Sequence, residues 1–300
     1  MPPPRKTIAL LVETSNDYAR GLLHGVVSYV REHRPWSTYL AEHGRGDAPP
    51  TWLSRWTGDG IIARVENTRI ARAVRACGLP VVDLSAANLL EGAPIVETDN
   101  AAIARLAFEH LREREFKHFA YCGDEQYNWS KGRADQFEVH VKRAGRQLHR
   151  YSSKVGHRTN DGWDDQMRHL ALWVKGLPKP VGIMACFDIV GRQVLEACRL
   201  IDAAVPDDVA VIGVDNDELL CELADPPLSS VAPDAHRTGY LAASLLDKLM
   251  SGETIVGREH LIEPLGVIVR ESSDVTATED QDVSQAIRFI RAHACEGINV

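Results

Sequence analysis

Among the carboxylates that follow apolar runs in this sequence, three stand out. Asp215 ends the run Val211 to Val214, Asp188 follows Val181 to Cys186, and Asp99 follows Ile95 to Thr98. A carboxylate in such a place either accepts hydrogen bonds from a bound molecule or caps a following helix, and residue type leaves both readings open. Arg133 adds a planar fork of N–H donors shortly after Trp129, whose indole offers an apolar face and one N–H. Asn16, Asp17, Tyr18 and Arg20 crowd the segment after the first apolar run, Ile8 to Val12. Tyr127 and Trp163 are further stacking candidates, with plain packing as the alternative. Together these groups suit the holding of a polar molecule by hydrogen bonds and stacking.

Signatures of catalysis are missing. The chain carries no GxSxG elbow, no GxxxxGK[ST] phosphate loop and no HExxH, and Gly44-Arg45-Gly46 lacks the third glycine of a dinucleotide fingerprint. The six cysteines, Cys77, Cys122, Cys186, Cys198, Cys221 and Cys295, show no CxxC spacing, so they read as reduced thiols and not as a zinc or disulfide framework. Asp161, Asp164, Asp165 and the string Asp215-Asn216-Asp217-Glu218 lack the alternation and glycine of a calcium loop. No metal and no cofactor is expected.

Composition sets the outer limits. With 300 residues, 44% hydrophobic and 25% charged, the chain can bury one or two full cores. A formal net charge of −8 argues against a nucleic-acid-binding surface among these residues. Ile8 to Val12 is broken at once by Glu13, too short for a signal-peptide core or a membrane span, so a cytoplasmic protein is expected.

The elements that position these residues follow from periodicity. Strands are expected at Ile8 to Glu13, Ser37 to Ala41, Gly60 to Ala63, Val81 to Leu84 and Ile95 to Thr98, with helical spacing at Leu22 to Val30, Pro50 to Trp56, Asn67 to Cys77 and Ile103 to Leu111. A second series has strands at His118 to Cys122, Val181 to Cys186 and Val209 to Val214. Its helices lie near Lys131 to Ala144, Asp164 to Lys175 and Ile189 to Leu200. Alternation of this kind predicts an α/β fold of two Rossmann-like lobes with parallel sheets, binding ligands at the carboxyl ends of the strands. Leu228 to Val231, a helix from Ala235 to Met250 and two strands around Leu261 to Val269 then suggest that the chain returns to the first lobe. Residues 270–282 read as a polar linker, and 283–300 as one further amphipathic helix.

Ile8-Ala9-Leu10-Leu11-Val12 with Tyr18 and Arg20, Asp59-Gly60-Ile61-Ile62, Thr98-Asp99-Asn100 and Val211-Ile212-Gly213-Val214-Asp215-Asn216 resemble the effector-binding body of lactose-repressor-type regulators. That fold is shared with type I periplasmic sugar-binding proteins. Leu228 to Ala232 and Gly239-Tyr240 extend the likeness over nearly the whole chain, and Ile287 to Cys295 resembles the first helix of an AraC-type helix-turn-helix domain. The chain looks most like regulators of xylose operons, in which this body precedes such a domain.

The resemblance implies a body over 6–269 with a ligand cleft between its lobes. The first lobe would span about 6–110 plus 234–262, and the second about 111–233 plus 263–269. Residues 283–300 would begin a truncated AraC-type domain. The implied function is a sugar-responsive transcription regulator that is not an enzyme. Its effector would be a monosaccharide, xylose or a similar pentose, and it would bind operator DNA, as a homodimer, through the domain missing from this chain. Asp215 would accept from two neighbouring sugar hydroxyls and Arg133 would donate to the ligand. Trp129, Asn16, Tyr18 and Asp99 would border it. Asp188 resembles one member of the family's Asn-Asp pair, although Phe187 stands where many relatives carry a polar residue. A transporter's solute-binding protein, or an enzyme acting on sugars or nucleotides, is the alternative. The absent export signal and the terminal helix count against the first, and the absent motifs count against the second.

Overall fold

The computed structural model describes residues 5–42, 44–45, 47–152, 163–274, 286 and 289–290. Strand β1 (Thr7–Leu11) is almost wholly buried and leads into helix α1 (Asp17–Glu32), which turns Leu22, Val26 and Tyr29 inward. After the edge strand β2 (Ser37–Leu40), the segment expected as a helix at Pro50 to Trp56 is only a 3-10 turn, Thr51–Arg55. That turn buries Leu53 and brings Trp52 and Trp56 against Tyr39, with ring centroids 6.2 and 4.9 Å from the tyrosine.

Strand β3 (Gly60–Ala63), helix α2 (Thr68–Ala76) and strands β4 (Val81–Asp83) and β5 (Ile95–Thr98) continue the first series. Helix α3 (Asn100–Glu113) then leaves it. Ile103, Ala107, Phe108 and Leu111 of α3 join the core of the second sheet, so the crossing falls at Asp99, earlier than the expected lobe boundary at residue 110.

The second body consists of β6 (His118–Gly123), α4 (Asn128–Arg143), β7 (Leu148–Ser152), α5 (Trp163–Gly176), β8 (Val181–Ala185), α6 (Asp188–Leu200), β9 (Val209–Val214), the short α7 (Glu218–Glu222) and β10 (Ser229–Ala232). Strands β8 and β9 are buried at every residue, as strands covered on both faces require. β7 was not among the expected strands. It lies at the sheet edge, pairs with β6, and its half-exposed residues carry little apolar signal.

Helix α8 (Ala235–Met250) returns to the first body, β11 (Glu259–Ile262) pairs with β5, and β12 (Gly266–Ile268) pairs with β10. The two sheets run β11-β5-β4-β3-β1-β2 and β12-β10-β9-β8-β6-β7, parallel throughout except for the antiparallel β10–β12 pair. α8 packs on α1 with backbones almost touching. A Cβ on Gly239 would lie 1.9 Å from the Leu22 carbonyl oxygen, and one on Gly25 would lie 2.0 Å from that of His236.

The expected linker starts inside the fold. Ser272 and Ser273 are fully buried, the Ser272 hydroxyl donates to the Val211 carbonyl at 2.7 Å, and Ser273 meets both His110 and Ser229. Residues 275–282 and most of the expected terminal helix, like Asp161 and Cys295, lie outside the described residues. No helix among the described residues is long and apolar enough to cross a membrane.

Candidate functional site

The first body contributes polar groups at the carboxyl ends of its strands. Glu13 follows β1, Arg64 follows β3, Ser85 follows β4, and Glu97 and Thr98 close β5. Arg64 is buried and donates to Glu13 through Nη1 and to Glu66 through Nη2, both at 2.9 Å, while its buried Nε has no partner. Burial works against the Arg64 charge, but the two carboxylates hold its pKa above the usual value. Burial likewise pushes Glu13 up, yet Arg64 and Arg45 beside it hold its carboxyl below the ordinary range. Tyr18 places its ring beneath the Arg64 guanidinium, 5.5 Å from it, and its hydroxyl pairs with the Thr98 hydroxyl at 3.1 Å.

The second body answers with Asp215, Arg133 and Trp129. Asp215 follows the buried apolar strand β9, and its φ of 105° is left-handed, as is the 49° of Asn216. Such values are costly for residues with a Cβ and persist only where the surroundings impose them. Here the Asp215 amide donates to the Val231 carbonyl at 3.1 Å and the Asn216 amide to the Ser230 hydroxyl at 3.0 Å. The two bonds pin the turn that carries the Asp215 carboxyl into the space between the bodies. Burial raises its pKa against the pull of Arg133, Arg45 and Arg64.

Arg133, on the buried face of α4, donates from Nε to the Asn100 side-chain oxygen at 2.7 Å and from Nη1 to the Cys186 carbonyl at 2.6 Å. Asn100 in turn donates to Glu97 at 2.9 Å, so a chain of hydrogen bonds runs from β5 to α4 across the crossing point. The Arg133 guanidinium also lies 4.9 Å from the centre of the Trp129 ring, whose buried Nε1 has no partner.

These side chains line one cleft. Tyr18, Arg45, Arg64, Leu84, Ser85, Ala86, Glu97 and Thr98 face Trp129, Arg133 and Asp215 across about 390 Å3 of space, counting its open mouth. Of the residues singled out from sequence, the cleft thus brings together Asp215, Arg133, Trp129 and Tyr18. Arg45, Arg64, Glu97 and Thr98 were missed. For Arg64, Glu97 and Thr98 a signal existed, since each ends an apolar strand run as Asp215 does. Arg45 stands on an irregular connection where no periodicity marks it.

Three expected site residues do other work. Asn16 caps α1, accepting from the Ala19 amide at 2.9 Å. Asp99 caps α3, accepting from the amides of Ala101 and Ala102 at 2.8 and 3.1 Å. Asp188 is fully enclosed beneath the cleft, where one oxygen accepts from the Ser230 hydroxyl at 2.6 Å and the other from the Asp217 amide at 2.8 Å. Both carboxyl oxygens of Asp188 are therefore engaged with the protein. Burial and the neighbouring Asp215 push its pKa up to about 8. Neither does Asp188 cap its own helix, since α6 starts from Phe187 with no side-chain cap. Among the other candidates, Asp17 and Arg20 pair with each other on the exposed side of α1, and Trp163 is half exposed outside the cleft.

The charges in and around the cleft nearly cancel. Arg45, Arg64 and Arg133 stand against Asp215, Glu97, Glu13 and Glu66, which leaves N–H donors beside carboxylate acceptors with little net charge. Among the described residues no group of His, Cys, Asp and Glu is gathered that could hold a metal ion. The arrangement suits a small, uncharged molecule bearing many hydroxyls.

Comparison with known proteins agrees on the architecture. The XylR N-terminal domain matches residues 7–101, and a periplasmic binding protein-like domain matches residues 108–273. The xylose operon regulatory protein of Escherichia coli K12 is 32% identical over 302 aligned residues, covering 99% of this chain and 76% of that protein. Its counterpart in Haemophilus influenzae is 30% identical, covering 98% and 77%. The solved structure of a xylose-binding transcription activator, xylR, superposes with a TM-score of 0.85 at 31% identity, covering 100% of this chain and 77% of that one. The transcriptional regulator CelR in complex with cellobiose has the same fold, with a TM-score of 0.71 at 24% identity, covering 90% and 86%. The chain belongs to the family of xylose operon regulatory proteins, bacterial transcription regulators whose sensing body has a periplasmic binding protein-like fold.

Proposed function

We propose that this chain is the effector-sensing part of a sugar-responsive transcription regulator, and that its interlobe cleft binds one neutral monosaccharide, with D-xylose or a similar pentose as the effector. The carrying observation is the near-neutral cleft in which Asp215, Glu97 and Arg133 stand beside the unpartnered N–H groups of Arg64 and Trp129. Carboxylates accept from vicinal hydroxyls, the arginines and indole donate to ring and hydroxyl oxygens, and buried donors without partners gain the most from such a ligand. The family's members named for the xylose operon support the pentose.

The protein acts without catalysis. Sugar stabilises one arrangement of the two bodies about the crossings at 98–100, 232–235 and 262–266, and does so only by its differential affinity for that arrangement. The response reaches operator DNA through an AraC-type domain beyond the sensing body, in a cytoplasmic homodimer whose two reading heads meet paired half-sites.

A thermal-shift screen tests this reading. Neutral pentoses and hexoses should raise the melting temperature in the order of their affinity, D-xylose most of all, whereas sugar phosphates should not. Stabilisation by phosphorylated sugars and not by neutral ones would overturn it.

A further inference from the structure

We propose that Arg45 sets the size of the ligand: its guanidinium fills an aromatic box formed by Tyr127, Trp129 and Phe187 and thereby restricts the cleft to a single sugar ring. The inference rests on the sugar reading above and adds a specificity-determining residue to it.

Arg45 lies on the connection between β2 and the 3-10 turn, in the first body, while the three rings stand at the starts of α4 and α6 in the second. Its guanidinium carbon is 5.3 Å from the centroid of each ring. The rings themselves form a continuous wall, with Tyr127 stacked on Trp129 at 5.1 Å and Phe187 meeting Trp129 edge-on at 5.7 Å. Aromatic faces attract either the apolar face of a sugar or a cation. In this chain the cation already belongs to the protein.

The consequence is geometric. Arg45 and Trp129 both line the cleft, so the box continues the ligand space and the guanidinium ends it. The Arg45 Nε is buried without a partner and its charge is felt by Asp215 and Glu13, which places the side chain at the cleft's inner edge and not on the outer surface. Phe187 also gains a role that sequence alone did not suggest, as one wall of the box. A chain lacking the Arg45 side chain would present an aromatic-walled extension of the site.

The test is calorimetric titration of wild type, Arg45→Ala, Arg45→Lys and Phe187→Ala with D-xylose and with its β-1,4-linked dimer, xylobiose. Wild type should prefer the monosaccharide by about a hundredfold or more. Arg45→Ala should narrow that preference by about tenfold or more, with some loss of D-xylose affinity as the cation–π contact goes. Phe187→Ala should narrow it too, opening the box from its other wall, and Arg45→Lys should keep most of the wild-type preference by leaving a cation in the box. Equal weakening of both sugars by Arg45→Ala and Phe187→Ala would overturn the proposal while leaving the sugar reading intact. So would equal affinity of the wild type for the two sugars. If wild type bound neither sugar, the sugar reading itself would fall and this inference with it.

Discussion

Glu97 is the residue through which pH should reach the cleft. Burial raises its carboxyl to about 7, against the opposing pull of Asn100, Arg133 and Arg64. Ionised, its carboxylate accepts from Asn100 and keeps acceptor capacity on both oxygens for a ligand; protonated, it gives up part of that capacity. D-xylose affinity is therefore expected to rise with pH between about 6 and 8, and Glu97→Gln to flatten that dependence, as titrations at several pH values would reveal. An affinity that falls over the same range in wild type would contradict the assignment. At this scale the site was half legible in the sequence. Asp215 could be picked out because it follows a strand end, where α/β folds gather ligands, and Arg133 because the family resemblance implies a donor at that helix start. The same rule, applied to Glu13, Arg64 and Glu97, would have found the first body's half. It failed for Asp188 because a strand-end carboxylate can equally be spent inside the fold, here on Ser230 and Asp217. Nothing local separates the two fates.

Among the elements, the α1–α8 pair decides whether the late part of the chain docks on the early part. Gly25 and Gly239 let the backbones approach, and a methyl at 239 would have to displace the Leu22 carbonyl from 1.9 Å. Backbone cannot yield as a side chain can, so Gly239→Ala should destabilise by about 1–3 kcal/mol, the range for overpacking a core. Gly132→Ala, inside α4 with nothing within 4 Å of the new Cβ, is the control and should be neutral or slightly stabilising. Denaturant unfolding of both variants checks this, and equal effects would count against backbone contact between the helices. The strand and helix alternation was readable because the buried strands β3, β8 and β9 are unbroken apolar runs between amphipathic helices. Edge elements were not. β7, Leu148-His149-Arg150-Tyr151-Ser152, pairs with β6 and needs little apolar character to hold its place. The exit at 270–273 read as linker because buried serines satisfied by one another look like surface serines in sequence.

Across the whole molecule, the proposed sugar site draws on residues of both bodies. Tyr18 and Arg64 come from the first sheet's helix and strand end, Asp215 and Arg133 from the second, and the only covalent links between the two among the described residues are the three crossings. A ligand held from both sides should therefore be lost by damage on either. The most direct measurement is calorimetric titration of D-xylose into wild type, Tyr18→Ala and Asp215→Asn, each first shown to unfold cooperatively. Wild type should bind one sugar per chain, and each variant should lose affinity by about tenfold to a hundredfold, the worth of one or more buried or charged hydrogen bonds. Unchanged binding in both variants, or no binding by the wild type, would contradict the account.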